Sequence, residues 1–225
     1  CGPPWPASIA TVRPDGISGQ ADLSVSVVSL PVWRIDMRDP ENELRGYLEK
    51  LVHRYLNLVS LHRELRIINS WRSRPGVSAY ELGAYFFALV GYSFWRTVLV
   101  ELALLLSEKE DKSVLDWLKK AREHVARLRP SLYDASSNTQ KPIKPSDYRA
   151  IIDGQLSEIQ VLEDTIDRIQ AHRDKSIAHL DRTYFNNPDK LYIDYALTYT
   201  DIGDLLALVE RILRSHYECL LNADV

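Results

Sequence analysis

The sequence predicts an all-α fold, an antiparallel bundle of about five helices preceded by an irregular N-terminal tail. Three observations carry that expectation. Apolar residues recur at alternating steps of three and four through most of residues 37–225, the period of a helix with one buried face. Helix-start residues stand where these runs begin, and Pro-, Gly- and Asn-containing breaks separate them. Strand-like alternation is confined to Leu23, Val25 and Val27, with no obvious partner strand. At 225 residues, 45% hydrophobic and 26% charged, the chain is long enough and apolar enough to bury one medium core.

Residues 1–36 read as a tail outside the helical domain of residues 37–225. Pro3, Pro4, Pro6 and Pro14, with Gly2, Gly16 and Gly19, forbid a helix there. Met37 is the sole methionine and the helical pattern starts directly after it, so Met37 is the expected natural start. A rival reading makes Cys1 a lipid-bearing first residue. The tail lacks the charged and apolar regions of a signal peptide.

Asp39-Pro40-Glu41 is a helix start, with a capping carboxylate, a proline in the first turn and an acid near the positive end of the dipole. From it Leu44, Leu48, Leu51, Tyr55, Leu58, His62 and Leu65 form one unbroken seam, predicting a long helix that ends near Trp71, before Arg74-Pro75-Gly76. His62, the polar member, is expected to be a core histidine satisfied by a neighbouring carboxylate or carbonyl. Ser78-Ala79-Tyr80-Glu81 is a capping box that opens the most apolar stretch, Leu82 to Leu106. That stretch is long enough for a bilayer. Arg96 and Glu101 lie inside it, and each would cost roughly 2.5–3.5 kcal/mol at mid-membrane. A central helix buried on most sides, with a dimer surface as a second role, is therefore expected in place of a membrane span.

Ser113 and Asp116 start a shorter helix running to about Leu128. Arg129 to Pro145 is the longest polar interruption and is expected to be a mobile loop, with Lys141 and Lys144 solvated. Ser146 and Asp147 begin a helix whose seam runs Ile159, Leu162, Ile166, Ile169 and then, at the same spacing, Arg173, Ser176 and Leu180. Asn186-Asn187-Pro188 reads as a turn among Tyr184, Tyr192, Tyr195 and Tyr199. Thr200-Asp201 is expected to open the last helix, with Leu205, Leu206, Val209, Ile212, Leu213, Tyr217 and Leu220 inward and His216 structural.

The functional signal lies where that seam turns polar. A guanidinium at a packing position is costly unless it is paired or faces a wet cleft. On a helical wheel His172, Ser176 and His179 share one side, with Arg173 on the flank. The run Arg173-Asp174-Lys175-Ser176-Ile177-Ala178-His179-Leu180-Asp181, together with Leu197-Thr198-Tyr199-Thr200-Asp201-Ile202, resembles the HEPN superfamily, in particular its abortive-infection, AbiU-type branch. The resemblance covers roughly Met37 to the C-terminus. It implies a HEPN-like helical domain over residues 37–225. It also implies a catalytic pair, Arg173 and His179, with Asp174 orienting Arg173 or a histidine, in a groove shared by two copies of the chain. Lys175, Ser176 and His172 are expected from the wheel alone to be further RNA contacts. The plain alternative pairs Arg173 with an acid from another helix, such as Glu101, and leaves His179 and Asp181 to decorate an exposed helix end.

Other chemistries find little purchase. The sequence holds no Gly-rich phosphate loop, GxSxG, HExxH or Cys/His metal spacing. Cys1 and Cys219 stand at opposite ends and make no disulfide framework, which fits a reducing cytoplasm. A net charge of -3 advertises no global field for nucleic acid. Arginine and histidine without metal or cofactor suit RNA cleavage, because the 2′-hydroxyl supplies the nucleophile. Histidine titrates near neutrality as base or acid, and the arginine fork fits a phosphate oxygen whose charge grows. On a straight helix Arg173 and His179 point about 120° apart, so one protomer makes a poor site and a two-fold dimer a better one. The expected function is thus a metal-independent, homodimeric, cytoplasmic endoribonuclease of toxin type. Its setting would be phage defence or stress response, alongside a cognate antitoxin such as a nucleotidyltransferase. The alternative is a non-catalytic HEPN module that binds a partner protein or a nucleotide.

Overall fold

The computed structural model describes residues 39–72, 78–134, 136–137, 139–178 and 182–221, with backbone alone for residues 71–72, 78–82, 176–178, 185 and 188. The expected tail, the Arg74-Pro75-Gly76 breaker, the side chains of the Ser78–Glu81 capping box, and His179 to Asp181 lie outside the described residues.

Eight α-helices and one small hairpin are present among the described residues: α1 Pro40–Arg72, α2 Ser78–Leu105, α3 Val114–Glu123, β1 Ser131–Asp134, β2 Thr139–Pro142, α4 Pro145–Val161, α5 Glu163–His172, α6 Arg182–Asn186, α7 Pro188–Asp194 and α8 Tyr199–Leu220. The five expected helices are α1, α2, α3, the α4–α5 pair and α8. The fold is all-α, as its apolar periodicity dictates.

The start of α1 forms as expected. Asp39 Oδ1 accepts the Glu41 backbone N–H at 3.1 Å, and Glu41 then pairs with Arg45 one turn on. Leu44, Leu48, Leu51, Tyr55, Leu58 and Leu65 are all buried. The exception on that seam is His62, whose Nε2 is buried with no hydrogen-bond partner among the described residues. The expected carboxylate or carbonyl is absent there. Burial, aided by Arg66 one turn away, holds its imidazole below the ordinary pKa and keeps it neutral.

Helix α2 departs from expectation along its length. Val98, Leu99, Leu102, Ala103 and Leu105 are buried, but Tyr85, Phe86 and Leu89 in the preceding turns are 65%, 60% and 50% exposed. Gly83 and Leu105 bound a segment long and apolar enough to cross a membrane, yet its second half is core. Glu101 is held there by Arg54 at 2.6 Å. Among the described residues, the outward face of its first half stays largely uncovered.

Helix α3 is capped by Ser113, whose Oγ accepts the Asp116 N–H, and it ends at Glu123, before Leu128. Trp117 is fully buried and donates its Nε1–H to the Leu44 carbonyl at 2.9 Å, tying α3 to α1. The expected mobile loop is instead the antiparallel β1–β2 hairpin, with Ser131 opposite Pro142 and Asp134 opposite Thr139. Asp134 builds its turn by accepting the Ser136 N–H and hydroxyl, and it forms an ion pair with Lys141.

The expected single helix from Ser146 is two. Helix α4 starts one residue earlier, on Pro145, and the chain breaks at Leu162 (φ -99°, ψ 12°) before α5. Helix α8 opens on a full capping box, Thr198 with Asp201, two residues before the expected start. Its inner face holds Ile202, Leu205, Leu208, Val209, Ile212, Leu213, His216, Cys219 and Leu220, whereas Tyr217 turns outward at 39% exposure. His216 is structural. Its Nδ1 lies 2.7 Å from the Tyr148 hydroxyl and its Nε2 2.6 Å from Gln155 Oε1, between the Trp117 and Tyr148 rings. The tautomer that satisfies every group has Tyr148 donating to Nδ1 and Nε2–H donating to Gln155. Burial pushes this imidazole down to about 3.

Candidate active site on a π turn

Immediately after α5 the chain makes six residues of π-helix, Arg173–Ala178. Bonding from i to i+5 widens the turn, so straight-helix angles do not hold across Arg173–Ala178. The apolar seam ends differently from its sequence reading. The buried position three residues after Ile169 belongs to His172, only 2% exposed, and Arg173 moves to the flank. The imidazole Nε2–H donates to the Tyr195 carbonyl at 2.7 Å, and the ring packs against Tyr192, centroids 5.3 Å apart and planes inclined at 53°. Desolvation lowers its pKa, opposed in part by that carbonyl, so His172 is neutral at pH 7. Expected to touch RNA, His172 is instead packed inside, because a carbonyl 23 residues away satisfies it.

Arg173 keeps 16% of its side chain accessible. Its Nε donates to Asp174 Oδ1 at 2.7 Å, and its Nη1 lies 3.5 Å from Glu110 Oε1 in the connection between α2 and α3. Asp174 thus holds the guanidinium on its Nε side. Glu101, the alternative acid, is engaged by Arg54. Glu110 went unread because its connection is dense in charge and carries no spacing that points to residue 173. The Ser176 side chain and His179 lie outside the described residues.

Lys175, two residues after Arg173, sets its ammonium 5.3 Å from the Tyr184 ring centre and 5.6 Å from that of Tyr195. The Tyr184 hydroxyl donates to Asp194 at 3.1 Å. Helix α5 fixes this cluster in place. Arg168 Nη1 donates to the Ala196 carbonyl at 2.7 Å, one turn before His172 takes the neighbouring Tyr195 carbonyl. Two side chains at i and i+4 therefore grip consecutive peptide groups and hang the Tyr195 ring over the π turn. On α2, Arg96 lies over the Tyr92 ring at 5.5 Å; burial and then Tyr92 push the Tyr192 hydroxyl up, and Arg96 opposes them. Arg96, Arg168 and Lys175 thus flank a wall of tyrosines, while Arg173 faces Glu110 on the α2–α3 connection.

Chemically, the π turn offers an anion the oriented guanidinium of Arg173 and, two residues on, an ammonium set against aromatic rings. The family model HEPN_AbiU2, described as AbiU2, matches residues 41–224. Neither the curated proteins nor the solved structures gave a match. The matched region takes in the π turn, the tyrosine wall and every helix from α1 to α8. On that match the chain belongs to the AbiU2 family of HEPN domains.

Proposed function

We propose that this HEPN domain is a metal-independent endoribonuclease working as a homodimer, with Arg173 and His179 from two copies lining one cleft. The observation that carries the reading is Arg173 itself, accessible on a π turn and oriented by Asp174. In the reaction an imidazole takes the proton of a ribose 2′-hydroxyl and the 2′-oxygen bonds to the adjacent phosphorus. The P–O5′ bond then breaks, and the 5′-oxygen leaves with the proton that the imidazole has taken. Arg173 binds the non-bridging oxygen whose charge grows. The products are a 2′,3′-cyclic phosphate and a 5′-hydroxyl.

A dimer suits the first half of α2. Tyr85, Phe86 and Leu89 are exposed, and the Ser93 and Thr97 hydroxyls donate back to the Leu89 and Ser93 carbonyls, both at 2.9 Å. The stripe Phe86, Leu89, Ser93 and Thr97 therefore presents an apolar strip whose hydroxyls are already satisfied. The proposed setting is the cytoplasm, in phage defence or stress response, with an antitoxin such as a nucleotidyltransferase holding the enzyme in check.

A second reading is a non-catalytic module that binds a partner protein or a nucleotide through the same cleft. The two acids already on Arg173 favour it, since they lower the appeal of that site to a polyanion. Replacing His179→Ala decides between them. The nuclease reading expects cleavage of single-stranded RNA in EDTA to slow by roughly two to four orders of magnitude, with the thermal transition unchanged. Equal cleavage by parent and variant excludes it.

A further inference from the structure

Resting on the nuclease reading, we infer that Tyr184 and Tyr195 form a stacking subsite for an unpaired nucleobase of the bound strand, beside the Lys175 ammonium. Both rings are half-buried, and among the described residues the Lys175 ammonium lies over each, at 5.3 and 5.6 Å from the two ring centres, while the rings meet edge to face. A lysine head is a mobile, hydrated occupant, unlike the apolar side chains that close the faces of core rings. When RNA enters, the ammonium has a better partner in a phosphate oxygen, and the ring face it vacates has a better partner in a base.

The platform is also stiff. The Tyr195 and Ala196 carbonyls are held by His172 and Arg168 at 2.7 Å each, and the Tyr184 hydroxyl is anchored on Asp194. The two tyrosine rings lie 6.2 Å apart and inclined at 66°, so they form a corner rather than a closed stack. Such a corner takes the face of one base on one ring and its edge against the other. Lys175 on the π turn lies against both rings, placing an ammonium for the backbone while the rings take the base. A duplex keeps its bases stacked inside, so this arrangement selects single strands.

The test uses the full chain, a non-cleavable 2′-O-methyl single-stranded oligonucleotide, and a fully abasic strand of the same length, read by fluorescence anisotropy. Tyr184→Ala and Tyr195→Ala should each weaken binding of the base-bearing strand by about five- to a hundred-fold. Neither should change binding of the abasic strand. Tyr184→Phe and Tyr195→Phe, which keep the rings, should retain most of the parent's affinity. If the alanine variants bind the base-bearing strand as tightly as the parent, or lose both strands equally, the stacking subsite is wrong while the nuclease reading stands. A parent that binds no RNA overturns both.

Discussion

His216 makes folding of this protein acid-sensitive in a way that can be measured residue by residue. Its imidazole is fully buried, bonded at both nitrogens to neutral partners, and held at about 3 against an ordinary 6.5. Because the folded value lies below the unfolded one, the stability linked to this site is complete above about pH 6.5. It drains away as pH falls toward 3. At pH 5 the unfolded chain gains about RT ln(1 + 10^1.5), roughly 2 kcal/mol, from a proton the folded core refuses. Urea denaturation from pH 7 to pH 5 should therefore show the parent losing at least that much. His62 and His172 are displaced in the same direction and add to the loss. His216→Gln removes one titration and should flatten the slope by up to about 1.4 kcal/mol per pH unit. Tyr148→Phe deletes the hydroxyl on Nδ1 and should cost about 1–3 kcal/mol while keeping the slope. Equal slopes for parent and His216→Gln would refute the argument.

Two further perturbations probe the proposed cleft. Glu110→Gln removes one of two acids from Arg173; since Glu110 is 43% exposed, the pair is weak, and affinity for single-stranded RNA should rise by up to about fivefold in a filter-binding assay. Leu89→Asp places a charge on the exposed face of α2, which should convert dimer to monomer in sedimentation and abolish cleavage, with helical content by circular dichroism unchanged.

How much of this was legible in sequence varies with the range of the forces involved. Helices α1 and α8 could be read because their seams repeat without interruption and their caps, Asp39 and Thr198 with Asp201, are local bonds. The β1–β2 hairpin was hidden by its polar composition and by prolines, since its register depends on Asp134 bonding to Ser136 and Lys141. The break at Leu162 leaves the apolar spacing intact, so no pattern could reveal it. Helix α2 looked buried because hydropathy counts residues and cannot count the neighbours available to cover them. At the site, the Arg173–Asp174 pair was within reach because it is adjacent in sequence. His172 read as a surface group because its partner, the Tyr195 carbonyl, is brought back by two intervening helices. Glu110 and the Tyr184–Tyr195 corner depend likewise on tertiary approach. The π turn widens a helix without any residue pattern that announces it.

The proposal that two protomers complete one site is tested most directly by complementation. Arg173→Ala and His179→Ala homodimers, each inactive alone, are mixed in equal amounts and allowed to exchange subunits. A shared cleft rebuilds one intact arginine–histidine pair in every mixed dimer. About half the dimers will be mixed, each with one of the two arginine–histidine pairs of the parent cleft intact, so cleavage should return to about a quarter of the parent rate. A mixture no more active than either variant by itself would contradict a site built across two copies of the chain.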